Sequence, residues 1–194
     1  MVKPDRRAAR REAARELQAA RPRPTALEID AARLSAFPVA GAWCSPWDNP
    51  RHLVTLALAR RRPDGDLAVM TAIVDLGCMG VKDASVIAKV PPLLADEGVA
   101  KRCGPDAQRE NAGVVAAVVA AGAQYAKACG VAERDVQRGL VAFLRGVPAA
   151  PITVPLGVDG KPFFMAGPYD DAEQVLTALE ERFGPDGFHY VLPM

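Results

Sequence analysis

The sequence predicts an α+β fold: a mostly antiparallel sheet with helices packed on one side, preceded by a flexible basic N-terminal arm. Three observations predict it. Two apolar, β-branched segments flank a Pro-Asp-Gly turn near residue 64. Helical periodicity then dominates residues 83–145, and alternating segments return after residue 152. Strands and helices that sit in separate runs, rather than alternating one by one, indicate α+β architecture.

The chain has 194 residues, half of them apolar and 24% charged. That suits one folded domain with a real core, assigned here to residues 25–194. Residues 1–24 differ in composition. They carry eight basic residues (Lys3, Arg6, Arg7, Arg10, Arg11, Arg15, Arg21, Arg23) against Asp5, Glu12 and Glu16, a net of +5. The formal net charge of the chain is +1, so the remainder carries −4. Ala and Arg favour helix, but Leu17 is the one large apolar side chain after Val2. Such a helix buries little by itself, so a mobile arm that docks only on a partner is expected. Pro22 and Pro24 end it.

Thr25 and Glu28 have capping-box spacing for a short helix over 25–35, with Leu27, Ala31 and Leu34 on one face. Residues 38–50 hold three prolines and both tryptophans, Trp43 and Trp47, and predict an ordered loop or an irregular edge strand. Residues 52–61 and 67–76 form the clearest hairpin, with Arg62-Pro63-Asp64-Gly65-Asp66 as its turn. Three helices are predicted next. Asp83 caps the first, with Val86, Ile87, Val90 and Leu94 as its stripe. Asp106 caps the second, which runs to Cys129 with Gly130 as its stop. The third covers 132–145 and buries Val136, Leu140, Phe143 and Leu144. The second and third are expected to form an αα-hairpin.

Residues 152–156 and 162–166 flank Asp159-Gly160, a hairpin-turn dipeptide. Asp170 and Glu173 have the spacing of a capping pair for a helix carrying Val175, Leu176, Leu179 and Phe183. Residues 188–192 predict a last strand in the same sheet. The expected core is Leu56, Leu58, Val69, Ile73, Val115, Val119, Leu140, Leu144, Phe164, Leu176 and Leu179.

The longest apolar run, residues 112–123, is shorter than the about 20 residues needed to span a bilayer, so no membrane partner is expected. No apolar segment follows the basic N-terminus as a secretory signal requires, and the four cysteines are widely spaced. Reduced thiols in the cytoplasm are expected. Nothing in the spacing of His52, His189 and the cysteines indicates a metal site, and no motif specifies a cofactor.

Two patterns carry functional expectations. The first is the string Asp75-Leu76-Gly77-Cys78-Met79-Gly80-Val81-Lys82-Asp83, placed where a strand ends and a helix is predicted to begin. Asp75, Cys78, Lys82 and Asp83 are candidate catalytic residues there, because a neighbouring Lys and a helix N-terminus would lower the Cys78 thiol pKa and make it a nucleophile. The competing reading makes the aspartates caps and Cys78 a buried apolar residue. The second pattern is the arm. Arg6, Arg7, Arg10, Arg11 and Arg15 suit nucleic acid phosphates or an acidic protein partner equally, or a solvated tail.

The strings VDLGCMGVKDA (74–84) and DGKPFFMAGPYDD (159–171), with the helices between them, resemble a pattern in a group of uncharacterised bacterial proteins. The resemblance spans residues 52–192 and implies one coherent domain; it carries over no activity, cofactor or catalytic residue. An accessory or interaction protein acting through its arm is the preferred functional expectation. A small enzyme with a thiol/carboxylate site at Asp75, Cys78 and Lys82 is the alternative.

Overall fold

The computed structural model describes residues 31–49 and 51–192. The predictions for the arm, including Arg6, Arg7, Arg10, Arg11 and Arg15, and for the start of the first helix lie outside the described residues. Helix α1 (Ala31–Leu34) leads into a five-stranded sheet of β1 (Val39–Cys44), β2 (Leu53–Arg61), β3 (Leu67–Asp75), β4 (Gly80–Val90) and β5 (Gln108–Arg109). The order is β4-β3-β2-β1-β5 and every pairing is antiparallel. The fold is α+β, as the sequence predicts.

The β2–β3 hairpin pairs Leu53 with Asp75 through to Arg61 with Leu67 in unbroken register. Its turn works as its residues suggest: Asp64 Oδ1 accepts from the Asp66 N–H, and Gly65 adopts a φ of +88°. Of the two readings for residues 38–50, the irregular strand near the edge is the one found: β1 is a strand with a register shift between Val39 and Gly41. Only the two-residue β5 lies beyond it.

Period-2 alternation assigns the faces of β2. Val54, Leu56 and Leu58 point to one core, shared with Val115, Val118 and Val119 of α3 (Ala112–Ala128) and Val136, Leu140 and Phe143 of α4 (Asp135–Phe143). Burying each such large side chain is worth about 1.5–3 kcal/mol. Ala57 and Ala59 point the other way, against Ala95, Val99 and Cys103 of helix α2 (Ala95–Cys103). Helices therefore cover both faces, which corrects the expectation of helices on one side. Both hairpin strands are apolar on nearly every position because both their faces are covered. Small side chains on β2 let α2 close in, and the Thr55 hydroxyl donates to the Cys103 carbonyl at 2.5 Å.

Three further expectations are corrected. Residues 83–90 are strand, not helix. Asn111, not Asp106, caps α3 by accepting from the Gly113 N–H at 2.7 Å, because Gln108 and Arg109 are used to pair with β1. Helices α3 and α4 each pack on β4 rather than on one another, so they form no αα-hairpin. Gly122 permits the close approach of α3: a Cβ there would lie 2.6 Å from Val74 Cγ1. Among the predicted core residues all are buried except Ile73, which is half-buried.

The C-terminal strands do not join the main sheet. Residues 152–156 form no strand, while β6 (Phe163–Met165) and β7 (His189–Val191) pair in parallel as a separate two-stranded sheet. A parallel pair needs a crossover, supplied by α5 (Ala172–Phe183). This unit has its own core of Phe164, Val175, Leu176, Leu179 and Phe188, closed by Cys78, Met79 and Cys129 from the rest of the fold. Asp171, not Asp170, caps α5, accepting from the Gln174 N–H at 3.1 Å. Asp159 and Gly160 make the expected tight turn, both with positive φ, bridged by Val158 and Lys161.

Candidate functional site

Asp75 ends β3, and residues 76–79 turn directly into β4. The Asp75 carboxylate organises this turn: Oδ1 accepts from the N–H groups of Cys78 (2.8 Å) and Met79 (3.1 Å). Side chain-to-backbone bonds of this kind are what aspartate offers at turns. Gly77 is required for packing, since a Cβ there would lie 2.3 Å from the Phe163 carbonyl oxygen. The Phe163 N–H donates back to the Gly77 carbonyl, and the Gly157 N–H to that of Leu76. The turn is thus gripped by the chain segment that precedes and enters β6.

Lys82 occupies a bulge. Ile73 pairs with Asp83 and Val74 with Val81, so Lys82 is the extra residue of β4. A bulge frees a backbone carbonyl and re-aims a side chain. The Lys82 carbonyl accepts from Arg134 Nη1 at 3.0 Å, and its Nζ reaches Asp170 Oδ2 at 2.5 Å. Arg134 Nη2 donates to Asp170 Oδ1 at 3.0 Å, and the Gly167 N–H to Oδ2 at 2.7 Å. The Asp170 side chain is 1% exposed, Lys82 14% and Arg134 30%. Two cations and a backbone donor therefore close over one buried carboxylate, with Asp75 beside them.

The two aspartates respond oppositely to burial. Desolvation pushes the Asp170 carboxyl up, but Lys82, the Gly167 N–H and Arg134 together hold it below its ordinary range. At Asp75 desolvation wins over Lys82 and the two turn N–H groups, and its carboxyl is pushed up.

Cys78 is fully buried. Burial, then the charge of Asp75, drives its thiol far above the ordinary range, against the smaller pull of Lys82. No helix N-terminus follows it, because β4 follows. Of the two features expected to activate a nucleophile, the helix N-terminus is missing and the charge of Lys82 is outweighed by burial and Asp75. Asp83 is exposed and stands outside the network. Asp75 and Lys82 are brought together as expected, whereas Asp170 and Arg134 were missed. The turn string holds neither of them: the spacing of Asp170 and Glu173 predicts a helix cap, and nothing around Arg134 in sequence marks it.

His52 donates nothing to this network; its ring meets Phe163 edge-on at 5.3 Å and its carbonyl accepts from the Leu76 N–H. Among the described residues no group of three or more His, Cys, Asp or Glu is placed to hold a metal, and all four cysteines are free thiols. No helix among them is long and apolar enough to cross a membrane. No protein-family model, curated protein or solved structure matches the chain.

Proposed function

We propose that this chain is a non-enzymatic accessory protein of the cytoplasm that contacts nucleic acid or an acidic protein partner through its N-terminal arm. The observation that carries the reading is charge separation: +5 on residues 1–24 against −4 on the rest. Segregated charge of this kind attracts polyanions at long range and in a salt-dependent way. The chemistry of the β3–β4 turn supports it from the other side. Lys82, Arg134 and Asp170 are occupied with one another, and the Cys78 thiol is sealed in apolar surroundings. The thiol/carboxylate enzyme centred on Asp75, Cys78 and Lys82 therefore has no accessible nucleophile to work with.

The test is a full-length chain with Arg6, Arg7, Arg10, Arg11 and Arg15 replaced by Gln, purified at low salt beside the wild type. Nucleic acid or an acidic protein that co-purifies with the wild type alone, and dissociates at high salt, supports the reading. Identical, clean preparations of both would sink it.

A further inference from the structure

We draw no further inference here: the strongest candidate, the outward face of the β6–β7 pair, where Phe163, Met165, His189 and Val191 alternate away from the C-terminal core and His52 meets the Phe163 ring edge-on, carries nothing because nothing among the described residues shows what covers it.

Discussion

Lys82 and Asp170 are 88 residues apart in the chain, and their charged atoms meet at 2.5 Å. The contact joins a bulge in the main sheet to the loop that leads into α5. Arg134 completes it from the N-terminal end of α4, so a single carboxylate ties three separate elements together.

Removing that carboxylate leaves two cations without their shared partner. Asp170→Asn is expected to destabilise the fold by about 3 kcal/mol, as breaking one side of a buried ion pair does. Urea unfolding measures it. Lys82→Met in the Asp170→Asn background should recover part of the loss, because it removes one stranded charge. Independent, additive losses would show that the two side chains are not coupled.

The neighbouring aspartate should behave in the opposite sense. Asp170 has a lowered carboxyl pKa, so its contribution is complete above the ordinary carboxylate range and is lost as pH falls through its folded value. Asp75 has a raised one, so its contribution is complete below the ordinary range and is lost as pH rises through its folded value. Asp75→Asn keeps an acceptor for the Cys78 and Met79 N–H groups while abolishing that ionisation. Stability near neutral pH should therefore hold or rise in Asp75→Asn and fall in Asp170→Asn. A large loss in both would contradict the assigned directions.

Cys78 should resist alkylation in the native protein. With no exposed surface and a thiol pKa driven upward, it presents almost no thiolate to a reagent at neutral pH. Peptide mapping after brief iodoacetamide treatment is expected to find Cys78 modified only after denaturation. Rapid native labelling would reopen the thiol chemistry.

The strands of the β2–β3 hairpin were legible because their turn carries its own mechanism in Pro63, Asp64 and Gly65. Strand β4 was not, and its register shows why. One bulge falls at Lys82, and a second register shift separates the pairs Leu67–Val90 and Val69–Ile87. Each inserts a residue and breaks the alternation that marks a strand. Val86, Ile87, Val90 and Leu94 then fall at spacings that also suit a helical stripe. Half of the network was visible, because Asp75 and Lys82 flank one turn. Asp170 and Arg134 reach it only through tertiary folding, which local spacing does not report.

Arg60 was likewise unmarked in sequence, yet it should be among the costlier residues to change. Its three acceptors lie at or beside the ends of α1 and α4, where helix carbonyls lack partners. Its guanidinium also lies 5.4 Å from the Phe143 ring centroid. Arg60→Ala strands one buried and two part-buried carbonyls and is expected to cost about 3 kcal/mol. Arg60→Lys keeps the charge but not the fork, and should recover only a minor part in thermal melts. A mild effect of Arg60→Ala would mean that water replaces the guanidinium without difficulty.

The grip of residues 157–170 on the β3–β4 turn bears on how the chain emerges from the ribosome. The sheet and α1–α4 are complete in sequence by residue 143, long before the segment that fills the space beside Gly77 has been made. Until then the carbonyls of Leu76 and Gly77 and the ammonium of Lys82 face water, and the apolar floor formed by Cys78, Met79 and Cys129 lies bare. A nascent chain paused before residue 157 therefore presents a chaperone with a sticky, half-built surface, and premature termination there would leave a product that cannot close.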